Sequence, residues 1–271
     1  MSSAQSPNLF TITMFLSVQL REMDLLNNLL DIFEQDEKIT PTHWGSNELM
    51  RSAYNRNDIL NTISAEDVRI SEIYLYRNQS PIEYSGRFNL DVSFRSFFDF
   101  DFKKIAVEYW HSFFEISDQC ADILKPRYGI AHIFWPSLIP WETEMEKLQR
   151  WMNFCSQPAP VNLGVSGPLG LSTRTYFGSD ILALIDQEIL KNTPVIVSKL
   201  KWDGICIDIV EKPWEVSKDD LLQNWTRTMN SFEKNELFAI PKFNQKNRRS
   251  ISFQANKLWE NYIKSNLEAY E

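Results

Sequence analysis

The order of apolar and polar residues changes period several times along the chain, and each change marks an element. Residues 9–19 mix β-branched and apolar positions, and Phe10, Ile12, Phe15 and Val18 read as a strand. From 21 to 35 the period lengthens, with Leu26, Leu29, Leu30 and Phe33 at i, i+3, i+4 and i+7, one face of an amphipathic helix. Pro41 interrupts, and Ser46 to Leu60 predicts one or two short helices. Strands follow at 69–77 and 81–94; in the second, Phe88, Leu90, Val92 and Phe94 alternate strictly, so one face is buried and the other wet. A helix is expected over 101–117, where Phe102, Ile105, Ala106, Tyr109, Phe113 and Ile116 form a stripe and Asp99 or Asp101 would cap it. Residues 127–135 read as a strand stopped by Pro136.

The second half partly echoes this order. Pro140 opens a helix through Cys155. Pro158 to Ser172 carries the Gly and Pro of a linker or ordered loop. A short helix (Ile181 to Ile189) and strands near 194–200 and 203–210 come next. A helix from Ser217 follows, with Ser217 and Asp220 spaced as a capping box and Leu221, Leu222, Trp225, Met229 and Phe232 on its inner face. A strand near 237–243 and a helix from about Ala255 close the chain. Helices outnumber simple strand crossovers, so the class expected is α+β, an antiparallel sheet covered by helices. The echo suggests one domain over 1–271 with two related α/β modules, 1–139 and 140–271.

Composition narrows the function. Hydrophobic residues make up 43% of the 271 and charged ones 24%, ordinary globular usage. Only 8 glycines occur, and Gly164, Gly167 and Gly170 match no phosphate-cradling motif. The net charge of −8 argues against a general nucleic-acid binder and suits a basic partner, although it also serves solubility. Cys120, Cys155 and Cys206 show no metal or redox spacing and read as buried thiols of a reducing compartment. The first residues have no basic signal region and no stretch reaches about 20 apolar residues. A cytoplasmic protein without a membrane partner is expected.

No catalytic constellation emerges. His111 sits four residues before Glu115 on a helix without an H-E-x-x-H pair, and His132 lies in a strand. Ser166 falls in Gly-Val-Ser-Gly-Pro, where Pro168 spoils a nucleophile elbow. Asp99, Asp101 and Lys103 would cluster at one helix start, and Glu142, Glu144 and Glu146 suit a helix N-terminus without catalysis. The basic run Lys242 to Arg249 is short. The expectation is a protein that is not an enzyme and holds no cofactor or metal. Trp44, Trp135, Trp141, Trp202 and Trp214 stand at element ends, as corners of the fold or as anchors in a partner interface.

Two segments then belong together: Thr40-Pro41-Thr42-His43-Trp44-Gly45, and Gly170-Leu171-Ser172-Thr173-Arg174-Thr175-Tyr176-Phe177-Gly178. With the opening strand and helix, and with Trp202-Asp203-Gly204, the chain resembles the bacterial immunity protein 52 family and the wider type VI secretion immunity proteins, over roughly Phe10 to Tyr262. The resemblance implies an α+β protein that binds and neutralises a cognate toxin, with a nuclease of restriction-endonuclease-like fold as the partner; it brings no catalytic residues. His43 and Trp44, with Glu142, Glu144 and Glu146, are the residues expected at the toxin contact, from loop position and charge. An effector adaptor or chaperone of a secretion system is the alternative, and a small cytoplasmic enzyme is a further one.

Overall fold

The computed structural model describes residues 9–65, 70–93, 96–103, 106–134, 170–232, 238, 240–243, 251–254 and 256–267. The chain divides into two compact units, Met1–Pro126 with Ile133–Pro136, and Arg127–His132 with Ser137–Glu271. The sequence pattern places a division at 139/140; between these units the chain passes three times, after Pro126, after His132 and after Pro136. Both units are α+β, with strands that pair antiparallel.

The first unit orders its strands β3-β2-β4-β5-β6-β1. These are β1 (Leu9–Phe15), β2 (His43–Gly45), β3 (Ser52–Ala53), β4 (Glu72–Gln79), β5 (Ile82–Asn89) and β6 (Phe97–Lys103). One sheet face is aromatic, because Phe98, Phe100 and Phe102 alternate along β6 and meet Phe88 and Tyr84 of β5 and Phe10 of β1. Helix α1 (Met23–Glu34) lays Phe33 on Phe100 at 4.8 Å between ring centres, and α3 (Trp110–Leu124) lays Phe113 on Phe102 at 4.6 Å. Each buried ring contributes about 1.5–3 kcal/mol by area alone, before aromatic geometry adds to it. Gly86 permits this layer, since a Cβ there would stand 2.1 Å from the Phe100 ring. Helix α2 (Arg56–Ser64) is capped by the Asn55 side chain, which accepts from the Asn57 and Asp58 amides.

Strand β6 corrects the expected helix over 101–117. Residues 97–103 alternate with period two, and the helix begins only at Trp110 after a 3-10 turn at Val107–Tyr109. Asp99 and Asp101 therefore cap nothing. They face away from the aromatic layer, where Thr13 and Thr11 each donate to them at 2.6 Å. Burial raises the Asp99 pKa, an effect the Thr13 hydrogen bond opposes.

The second unit orders β7-β8-β10-β9, with β7 (Tyr128–Phe134) entering through its residues 128–131. The others are β8 (Arg174–Phe177), β9 (Ile196–Lys199) and β10 (Ile205–Asp208). The expected helix over 181–189 is two short ones, α4 (Ser179–Leu182) and α5 (Gln187–Asn192). Helix α6 (Lys218–Phe232) carries the expected cap: Ser217 accepts from the Asp220 amide at 3.1 Å and donates to its carboxylate at 2.6 Å. Trp225 on α6 donates its indole N–H to the Leu171 carbonyl at 2.7 Å. A hairpin of β11 (Ile240–Phe243) and β12 (Ile251–Gln254) precedes α7 (Lys257–Leu267), whose Tyr262 hydroxyl donates to Asp180.

Candidate partner-binding site

The segment expected to be a loop around His43 is a hairpin at the outer edge of the first unit's sheet. Strand β2 pairs β4 on one side, His43 opposite Tyr76, and pairs the two-residue β3 on the other. Between β2 and β3 the chain turns tightly, and a Cβ on Gly45 would lie 2.0 Å from the Met50 carbonyl oxygen. The Asn47 side-chain oxygen accepts from the Leu49 and Met50 amides, both at 3.0 Å, which holds the turn in one shape. That shape projects two apolar side chains outward: Leu49 is 95% exposed and Met50 51%. Beside them the Arg51 guanidinium lies 4.3 Å from the centre of the Tyr76 ring.

An exposed leucine alone is ordinary surface. Two adjacent apolar side chains on a braced turn, next to an outermost strand, make a preorganised knob that loses little entropy on docking. Along the sequence, residues 21–65 carry eight Asp and Glu against four Lys and Arg, a net of −4 out of the chain's −8. Asp31 and Glu34 are joined through Arg56, and the Tyr54 hydroxyl donates to Glu34 at 2.6 Å. Burial first, and the Glu34 carboxylate next, hold the Tyr54 pKa far above its usual value.

The residues expected at a contact fare differently. His43 is half-buried, with Nδ1 3.0 Å from the Thr42 hydroxyl. Trp44 is only 8% exposed and its indole nitrogen is enclosed without an acceptor, so its ring supports the hairpin from within. Glu142, Glu144 and Glu146 lie outside the described residues, as do Trp135 and Trp141. Leu49, Met50 and Arg51 are the residues that sequence reasoning passed over. Their one signal is the Gly45-Ser46-Asn47 turn chemistry just ahead of them, which marks a tip but not what the tip displays.

Polar clusters elsewhere are built inward. His132 is buried, and its Nδ1 accepts from the Thr173 amide at 3.1 Å; burial pushes its pKa down to about 3, so the imidazole is neutral. Arg174 grips Asp208 with two parallel bonds of 2.7 and 2.8 Å. The whole run from Gly170 to Gly178 is buried, and Gly204 lets the Trp202 ring close over the β9–β10 turn. Segments that carried the family resemblance in this unit are thus scaffold. Asp99 and Asp101 are engaged by threonines, and among the described residues no three His, Cys, Asp or Glu side chains form a group that could hold a metal ion.

No family model matches the chain, and no curated protein does. Among solved structures it is similar to one described as Pseudomonas aeruginosa T6SS protein PA0821. The two are 12% identical, the match covers 96% of this chain and 82% of that one, and the TM-score is 0.54. The likeness is one of fold. It lies with a protein of a type VI secretion system (T6SS), and the immunity protein 52 family itself finds no matching model. Among the described residues no helix is long and apolar enough to cross a membrane.

Proposed function

We propose that this protein is an immunity protein of a type VI secretion system, binding a cognate toxin and neutralising it without catalysis of its own. The observation that carries the reading is the braced and exposed Leu49–Met50 knob, on a chain of net charge −8. A toxin that acts on nucleic acid presents Lys and Arg to phosphate, and an acidic surface is attracted to that same face and speeds encounter. Apolar side chains seated in a pocket then slow release, which is where affinity is mostly set. The fold shared with a T6SS protein and the resemblance to immunity proteins point the same way.

Co-expression with the isolated toxic domain of an effector, sought first in the gene neighbouring this one, tests the reading by growth. Rescue supports an immunity protein. Binding to the effector's non-toxic part, with no rescue from the isolated toxic domain, would make the protein an adaptor instead. Charge reversal of Glu142, Glu144 and Glu146 together is a separate test of those three residues: if affinity and its salt dependence stay unchanged, they leave the proposed contact.

A further inference from the structure

In the first unit a cleft of about 460 Å³ opens beside the β4–β5 turn, with Glu37, Lys38, Thr42, Arg77 and Ser80 among its walls. Its chemistry is set by Arg77. This arginine shares the face of β4 with Ile73 and Leu75, both fully buried, and is itself only 6% exposed. A cation placed so deep is costly unless an anion or a full set of acceptors compensates it. Other arginines in the protein meet that requirement with carboxylates: Arg21 with Asp91, Arg56 with Asp31 and Glu34, Arg174 with Asp208. Arg77 has one hydrogen bond, from Nη1 to the Thr40 carbonyl at 2.7 Å, and its Nε is enclosed without an acceptor. Its Nη2 is neither bonded nor enclosed, which leaves those donors to the cleft.

Two further residues line the same space from other segments. Lys38, in the loop after α1, holds its ammonium 5.2 Å from the centre of the Tyr109 ring, and Ser80 stands in the β4–β5 turn. Thr42 is already committed, donating to the Tyr76 carbonyl and accepting from the Asn78 amide. Among the lining residues one carboxylate, Glu37, stands against the two cations, while Asp36 and Glu108 act on Lys38 from outside the lining, so the open Arg77 donors are what favours an anion. Residues of a loop, a strand and a turn line the space on different sides, which suits a tetrahedral group better than a flat carboxylate. The volume exceeds what a bare ion fills and falls in the range of about 300–1,000 Å³ typical of small-ligand pockets.

We propose that this cleft binds the phosphate group of a small phosphorylated molecule, held by Arg77, Lys38 and Ser80. The site is independent of the toxin reading, and growth rescue neither supports nor weakens it. The test titrates the full chain with inorganic phosphate and with glycerol phosphate at constant ionic strength, following backbone amide shifts. Saturable shifts confined to residues 37–42 and 77–81 are expected, with glycerol phosphate binding more tightly than the ion. Lys38→Glu and Ser80→Ala, both at the rim, should each weaken binding, the first by at least about tenfold, as loss of a charge-assisted contact does. Arg77→Gln should abolish it; if that variant fails to fold, the two rim variants decide. Absence of saturation up to about 20 mM phosphate, well beyond millimolar affinity, would overturn the proposal. So would unchanged affinity in Lys38→Glu, equal affinity for inorganic phosphate and glycerol phosphate, or acetate competing as well as phosphate.

Discussion

Strands β6 and β8 solve the same problem in opposite ways. Strand β6 puts Phe98, Phe100 and Phe102 on one face and leaves Asp99 and Asp101 to the other, so each face has one kind of neighbour. Strand β8 is buried along its whole length yet contains Arg174 and Thr175 beside Tyr176 and Phe177. It is stabilised by pairing: Arg174 faces Asp208 in register, with side chains 11% and 12% exposed. The first design depends on shape and apolar area, the second on every polar group finding its partner. They should therefore fail differently.

The largest loss should come from Phe100→Ala, which opens a cavity where Phe33, Phe98 and Tyr84 converge and should cost about 3–5 kcal/mol. Denaturant unfolding measures it, and a loss under about 1 kcal/mol would mean the aromatic layer collapses to fill the space. In β8, Asp208→Ala removes the carboxylate that Arg174 grips and should cost about 3–5 kcal/mol. The double change Arg174→Met with Asp208→Leu should recover most of that loss. If the double variant is as unstable as the single, the pair is worth more than the apolar contacts that replace it, and the contrast with β6 weakens.

Acid separates the two units by sign. The folded pKa of His132 lies near 3 against an ordinary 6.5, so the unfolded chain takes up the proton first as pH falls. Its contribution is complete above about pH 6.5 and is lost towards pH 3, with a slope of up to about 1.4 kcal/mol per pH unit. Asp99 acts oppositely: its pKa is raised in the fold, so the stability linked to it is greatest below 3.8 and declines as pH rises through the folded value. Stability measured from pH 7 to 4 should fall less steeply in His132→Gln than in the parent, while Asp99→Asn should remove the opposing acid-side gain. Identical pH profiles in all three proteins would disprove both assignments.

Smaller effects mark the surface. Ser217→Ala removes the α6 cap and should cost about 1 kcal/mol, detectable as a lower melting temperature. Leu49→Asp should change stability by no more than about 0.5 kcal/mol, because the side chain touches little. On the proposed function it should nonetheless weaken toxin binding at least about tenfold, a loss near 1.4 kcal/mol, in a direct binding measurement. Full affinity in that variant would move the contact elsewhere.

These strands also show what is legible in a chain of residues. The α1 stripe and the Ser217 cap are readable because each is a local pattern with one period and one kind of surface; the strand expected over 81–94 is present as β5 but ends at Asn89, so of Phe88, Leu90, Val92 and Phe94 only Phe88 lies in it. Strand β6 was misread although its alternation is strict. Its Phe102 falls in phase with Phe113 and Tyr109 as well, so helix and strand patterns overlap and only pairing with β1 and β5 breaks the tie. At the candidate site, turn residues at 45–47 were visible, but exposure was not. Trp44 looked like an anchor and is buried, whereas Leu49 and Met50 looked unremarkable and are displayed.

The α+β class, the positions of α1 and α6, the acidic balance of −8 and the scarcity of glycine that removes phosphate-loop motifs are all set by the sequence. Those follow from composition and short-range period, which every unfolded chain already carries. The tertiary structure decided that Asp99 and Asp101 meet threonines, that Arg174 meets Asp208, that Arg77 is buried without a carboxylate, and that the Leu49–Met50 turn stands in solvent. Each of these depends on which distant strand lies alongside, because partner, burial and exposure are properties of neighbours far apart in the chain.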